Sequence, residues 1–234
     1  MTERMDSMEL FVDIADLDAV KRVAEFFPID GFTTNPNILT KSERPVEEMM
    51  AEYRKYVREN HLRIFFQVTG DTADEMLLEA TKLYDYFGHN LVVKLPAVKE
   101  GYKAIGPCKR AGMDICVTVI HSTMQAFSAA KAGADYVAPY VSHIDNLGAQ
   151  SGKVIGEMLS IMRNYSYPCK VLGASFRTVE QIKELAVLGC DAVTITPEMF
   201  DRLIAHPSTS ESMDMFMRTW ADKFGEKEIS DLLR

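Results

Sequence analysis

With 234 residues, 47% of them hydrophobic and 26% charged, the chain has the make-up of a globular protein able to bury a large core. A net charge of −8 argues against nucleic acid or an anionic membrane as the main partner; an anionic substrate has to be met by a local cluster of donors against that field. The N-terminal stretch MTERMDSMEL carries no apolar h-region and no segment nears the length of a bilayer span, so the expectation is a cytoplasmic, reduced protein with no membrane partner.

In chain order, short apolar strands alternate with amphipathic helices. The predicted strands are ELFVDIA (9–15), GFTTN (31–35), RIFFQVT (63–69), NLVVKLP (90–96), DICVTVI (114–120), YVAPYV (136–141), KVLGASF (170–176) and AVTITP (192–197). Most are apolar on both faces, as parallel strands covered by helices are. Helical patterns run over 45–60, opening at Pro45, over 73–87, and over 178–189, closing at Gly189; Gly112 and Gly133 likewise precede new strands. A last helix over 211–224 puts Met213, Phe216, Met217, Trp220 and Phe224 on one stripe, whose simplest use is packing on its own domain. No linker or low-complexity tract divides the chain. The expected architecture is α/β: a single (β/α)₈ TIM barrel over 1–234, with a C-terminal helical segment from 207. A doubly wound sheet is the alternative, but no G-x-G-x-x-G follows any strand.

In such a barrel alternate strand residues point inward, and chemistry gathers at the C-terminal mouth. Seven of the eight predicted strands carry a polar residue late in their run: Asp13 in phase with Phe11, Asn35, Gln67 in phase with Phe65, Lys94 in phase with Val92, Thr118, Tyr140 in phase with Ala138, and Ser175 in phase with Gly173. Any one of these is more often structural than catalytic; their co-occurrence at one depth favours function. Lys94 stands out. Among Val, Leu and Pro its ammonium loses hydration, which lowers its pKa and leaves an amine able to form a Schiff base. A gatekeeper lysine on an edge strand explains the same residue, and the strand alone divides the two readings about evenly. Cys108, Cys116, Cys169 and Cys190 form no C-x-x-C pair and have no histidine at zinc-ligand spacing. They read as small core residues, and neither a metal nor a cofactor is expected.

The motifs FVD, GFTTNPNIL, VVKLP, GADYVAPYV and VLGASFRT, in this order along nearly the whole chain, resemble the small transaldolase and fructose-6-phosphate aldolase family. The resemblance implies a (β/α)₈ barrel performing metal-free class I aldol chemistry, with Lys94 as the Schiff-base lysine. It implies that Asp13 handles the hydroxyl proton at the C–C bond, that Asn35 holds substrate hydroxyls, and that Gln67 and Thr118 position a water. Tyr140 matches the proton-transfer tyrosine of the aldolase branch, where transaldolases often have Phe, and Gln67 stands where many transaldolases have Glu. It also implies a homo-oligomer, a decamer in the family, with the C-terminal segment 207–234 at its contacts.

Ser175 and Arg177, beside a helix start at Thr178, match residues that hold a sugar phosphate; an arginine fork at a helix N-terminus is a good anion cradle. At His143 the family usually has an arginine, and His143 is a weaker, pH-dependent donor. Ile14, Asn37 and His121 also depart from the pattern. The expected substrate is therefore a sugar phosphate or another anionic sugar, with a 6-sulfo ketose, which carries a single charge, as one form of it. The expected reaction is cleavage of a dihydroxyacetone unit from a ketose 6-phosphate, or its transfer to an aldehyde acceptor. A non-catalytic sugar-phosphate binding barrel is disfavoured by the presence of both Asp13 and Lys94, and a metal-dependent aldolase by the lack of a histidine cluster on the strands.

Overall fold

The computed structural model describes residues 7–233; residues 1–6, and with them most of the stretch read for an h-region, lie outside it. Two compact units divide the chain between Met199 and Phe200. Within the first unit eight strands close into a parallel barrel in sequence order: β1 (Glu9–Asp13), β2 (Gly31–Thr33), β3 (Arg63–Gln67), β4 (Leu91–Pro96), β5 (Asp114–Ile120), β6 (Tyr136–Pro139), β7 (Lys170–Gly173) and β8 (Ala192–Ile195). β8 pairs back onto β1, Leu10 opposite Val193, so the sheet has no edge, and the doubly wound alternative falls with that closure. β4 is hydrogen-bonded on both sides, to β3 and to β5, which removes the gatekeeper reading of Lys94.

The alternation of each strand sorts its side chains into two layers. Phe11, Phe65, Val92, Cys116, Tyr136, Ala138, Leu172 and Ala192 fill the barrel interior, with Phe65 edge-on to Phe11 at 4.9 Å and to Tyr136 at 5.3 Å. The intervening residues meet the helices: Phe32 packs on Tyr53 of α3 (Val46–Glu59), and Phe66 on Phe87 of α4 (Ala73–Phe87). Between them the chain adds α1 (Leu17–Ala24), α2 (Pro36–Leu39), α5 (Lys99–Arg110), α6 (Thr123–Ala132), α7 (Val141–Asn146), α8 (Ser151–Asn164) and α9 (Val179–Val187). Capping boxes start three of them, Thr72 with Glu75, Ser122 with Gln125 and Thr178 with Gln181. Gly133 closes α6 at φ 100°, a left-handed cap that a side chain would strain. All four cysteines are buried free thiols.

At the N-terminal face, aspartates tie neighbouring strands together. Asp30, Asp135 and Asp191, each just before its own strand, accept from Leu10 N (2.8 Å), Ile115 N (2.7 Å) and Val171 N (2.8 Å) of the strand before. Ion pairs cover the same face: Arg63–Asp114 at 2.5 Å, Lys109–Asp135 at 2.7 Å and Lys170–Glu9 at 2.5 Å, with the Tyr136 hydroxyl donating to Glu9 at 3.0 Å.

β4 and β5 end where predicted, but the other six strands stop two or three residues short of their predicted ends at the opposite face, where the chain turns out of the sheet. Asn35, Tyr140 and Ser175 consequently lie in the turns beyond β2, β6 and β7, and not within the strands. α10 (Pro197–Ile204) follows β8. In the second unit α11 runs Pro207–Phe224, four residues longer at its start than predicted, because Pro207 opens it and His206 Nδ1 accepts from Ser208 N at 3.2 Å. Its Trp220 packs on Phe224 at 4.5 Å and donates to Lys227 O at 2.6 Å. No helix among the described residues is long and apolar enough to cross a membrane.

Candidate active site

A cavity of about 770 Å³ opens at the C-terminal mouth of the barrel, and its wall includes all nine residues singled out from the sequence: Asp13, Asn35, Gln67, Lys94, Thr118, Tyr140, His143, Ser175 and Arg177. Four arrive by strand alternation, each two positions beyond an interior residue: Asp13 after Phe11, Gln67 after Phe65, Lys94 after Val92 and Thr118 after Cys116.

Lys94 is 6% exposed. Its Nζ donates to Thr34 O at 2.7 Å, a main-chain carbonyl that fixes the amine without adding a counter-charge. Burial lowers its pKa below the usual lysine range, and the attraction of Asp13 opposes that only in part. Asp13 experiences the mirror effect: burial raises its carboxyl, while Lys94 and a 2.6 Å hydrogen bond from Thr33 Oγ1 pull it down. Beneath the amine, Cys116 is paired in register with Lys94, and burial pushes its thiol up to about 12, which keeps it protonated and inert.

Gln67 is the register partner of Lys94 on β3, so its amide lies one strand away from the amine. Across β5, Thr118 is fully buried, and among the described residues its Oγ1 has no hydrogen-bond partner. It acts on the neighbouring Tyr140 phenol through proximity, short of hydrogen-bond geometry, while burial raises that phenol's pKa. An unsatisfied hydroxyl in a cavity wall is costly unless a water or ligand completes it. Tyr140 caps α7 and touches two imidazoles edge-on, His143 at 5.2 Å and His121 at 5.7 Å between centroids; the imidazoles stack on each other at 5.7 Å. The His121 Nδ1 is 3.0 Å from Val119 O. Val119 itself has φ 62°, at a break in the β5–β6 register. For a β-branched residue this is a strained backbone, and it lies in the cavity wall.

Ser175 reaches the cavity for a reason other than strand phase. Interior Leu172 puts Gly173 on the outer layer, where a side chain would run into Leu185 of α9. Continued alternation from Gly173 would turn Ser175 outward as well. The chain instead enters the left-handed region at Ser175 (φ 60°), and its Oγ meets Ser142 Oγ at 3.1 Å. Arg177 follows at the entry to α9; its backbone N–H donates to Gln181 Oε1 at 2.8 Å, while its guanidinium has no protein partner among the described residues. Asn35 spends its Oδ1 on Ile38 N at 3.0 Å as the cap of α2, which leaves its amide NH₂ for a ligand.

Sequence reasoning missed several wall residues. Thr33 and Thr194 face inward from β2 and β8, so the eighth strand also supplies a polar group, hidden by the ordinary use of threonine as a strand former. Lys41 and Ser42, in the connection after α2, line the cavity too, and no pattern marked them.

A lysine with its pKa lowered by burial beside a carboxylate, at the mouth of a closed parallel barrel, suits Schiff-base chemistry. The model of the family described as "Transaldolase/Fructose-6-phosphate aldolase" matches residues 10–231. The chain belongs to that family. Among its relatives, a probable transaldolase of Desulfotalea psychrophila is 37% identical over 91% of this chain and 98% of its own. A probable transaldolase 2 of Listeria monocytogenes is 33% identical over 94% and 99%. Among solved structures, a designed cube-shaped protein cage made by fusing symmetric oligomeric domains aligns with a TM-score of 0.61 at 13% identity, covering 93% of this chain and 78% of that one. At that identity the likeness concerns the fold alone. Membership of the transaldolase/fructose-6-phosphate aldolase family makes the protein an enzyme of the class I aldolase/transaldolase type, a family that binds sugar phosphates.

Proposed function

We propose that the protein cleaves the C3–C4 bond of a ketose 6-phosphate, in the manner of fructose-6-phosphate aldolase, through a Schiff base on Lys94. The observation that carries this reading is the buried Lys94 amine, held by Thr34 O at 2.7 Å and faced by Asp13. The neutral amine attacks the C2 carbonyl, and the carbinolamine loses water, with Gln67 and Thr118 as its positioning pair. Asp13 takes the proton from the C4 hydroxyl, the C3–C4 electron pair flows into the iminium, and an aldehyde leaves. The remaining enamine is protonated at C3 by way of Tyr140, and hydrolysis releases dihydroxyacetone and the free lysine. Asn35 holds substrate hydroxyls; Ser175, Arg177 and His143 hold the anionic tail.

Borohydride added during turnover tests this. A reduced three-carbon adduct is expected on the peptide containing Lys94, forming faster as pH rises until the amine is largely neutral; an adduct on any other residue overturns the assignment.

Two observations favour variants. The curated relatives are named probable transaldolases, which supports transfer of the enamine to an aldehyde. Turnover that requires erythrose 4-phosphate selects that fate; cleavage without it selects the aldolase. Among the described residues Arg177 is the single arginine of the cavity wall, with His143 in place of a second, which suits a singly charged 6-sulfo ketose. This variant fails if such a ketose is not turned over while fructose 6-phosphate is. We place the enzyme in the cytoplasm as a homo-oligomer with segment 207–234 at its contacts, as the family resemblance implies; a monomeric mass by sedimentation removes the oligomer.

A further inference from the structure

Two buried hydroxyls form a chain that ends on Asp13. Thr33 Oγ1 donates to Asp13 Oδ1 at 2.6 Å, and Thr194 Oγ1 is 2.7 Å from Thr33 Oγ1. The side chains come from β2, β1 and β8, three adjacent staves of the barrel, and Thr33 and Thr194 are 1% and 4% exposed. The direction of the chain is fixed. An ionised carboxylate can only accept, and a threonine hydroxyl has one proton to give. Thr33 spends its proton on Asp13, so Thr194 must donate to Thr33.

We propose that Thr33 and Thr194 are positioning residues that hold Asp13 ionised and correctly turned, occupying Oδ1 so that Oδ2 is the oxygen left for the substrate hydroxyl. The inference rests on the reading of Asp13 as the base. Burial alone drives Asp13 towards its neutral acid, which cannot take a proton. A hydroxyl donating to the carboxylate favours the charged form, and a second hydroxyl behind it polarises the first. The titratable groups facing Asp13 are Lys94 of β4 and Tyr140 beyond β6. Once Lys94 is an iminium, its positive charge assists Asp13 during bond cleavage, but among the described residues Thr33 is the one side chain whose hydrogen bond fixes the orientation of the carboxylate. The relay also has a reset. When Asp13 accepts the substrate proton the Thr33 bond weakens, which favours passing that proton on.

The test measures kcat for cleavage of whichever ketose the native enzyme turns over, across pH, for T33V, T33S, T194V and D13N. T33V is expected to lower kcat at least tenfold and to move the acid limb of kcat upward by about one pH unit, as loss of a hydrogen bond to a carboxylate does. Borohydride capture at Lys94 should persist. T33S, which restores the hydroxyl, should restore both rate and limb, and T194V should show a smaller shift in the same direction. An unmoved acid limb in T33V, or equal damage from T33V and T33S, overturns the relay; if T33V does not fold, an unmoved limb in T194V does so. D13N that retains turnover instead overturns the reading of Asp13 itself, a separate failure.

Discussion

The two faces of the barrel treat polar groups in opposite ways. At the N-terminal face, charge is matched and the polar groups are spent on the protein itself: Lys109 with Asp135, Lys170 with Glu9, Arg63 with Asp114 (though Arg63 Nε is left without a partner among the described residues), and aspartate oxygens on the strand N–H groups. At the C-terminal mouth the groups are left short. Among the described residues, Thr118 Oγ1 has no partner, the Lys94 amine has a carbonyl but no carboxylate in contact, and Arg177 has no counter-ion, while Val119 and Ser175 occupy the left-handed backbone region. One face uses its polar chemistry to hold strands in register. The other withholds it for a substrate, at a cost in stability that the first face helps to offset.

The largest break in this contrast is Lys94→Met. Activity should fall by about four orders of magnitude or more, as expected when a covalent nucleophile is removed, and borohydride should capture nothing. Stability should hold or rise, because a flexible apolar chain replaces an amine that burial penalises. Thermal unfolding and turnover measured on one preparation check both halves; a marked loss of stability would mean that Lys94 belongs with the structural charges of the other face.

Asp135→Ala is the opposite experiment and has the next largest effect. It removes the Lys109 ion pair and leaves Ile115 N without its acceptor, so stability should fall by about 2 kcal/mol. Because Asp135 lies across the barrel from the cavity, kcat/KM should stay within about twofold. Denaturant unfolding beside steady-state kinetics reads the two; a large kinetic loss with unchanged stability would erase the division of labour.

The same contrast explains what could be read in the chain. Period-two alternation is a property of regular strand, so residues still inside the strands, Asp13, Gln67, Lys94 and Thr118, were legible from their apolar neighbours. The alternation gives out where the strands end. Ser175 was singled out on a phase with Gly173 that points away from the cavity, and it lines the wall only because the backbone turns left-handed there, which nothing about a serine announces. Tyr140 and Asn35 also act from turns. Thr33 and Thr194 were hidden for the opposite reason: a threonine in a strand is ordinary, and only the closure of β8 on β1 and β2 on β1 brings the two hydroxyls to 2.7 Å. Lys41 reaches the cavity through a connection whose path no local pattern dictates.

The smallest effect tests whether strain at the mouth is functional. Val119 has φ 62° and is 36% exposed, so its side chain contributes little burial against a backbone cost of about 1–3 kcal/mol. Val119→Gly removes the steric part of that cost but gives the unfolded chain more freedom, worth about 0.4–1 kcal/mol in the other direction. The net expectation is a gain of about 1 kcal/mol, where a glycine in an unstrained strand would lose stability. Function should move the opposite way. Val119 O lies 3.0 Å from His121 Nδ1, and His121 packs on both Tyr140 and His143, so a looser backbone loosens the ring cluster at the rim and KM should rise a few-fold. A variant that is less stable than the native enzyme would show that the left-handed turn at Val119 is relaxed. A variant more stable with unchanged KM would show that the strain serves no purpose at the site.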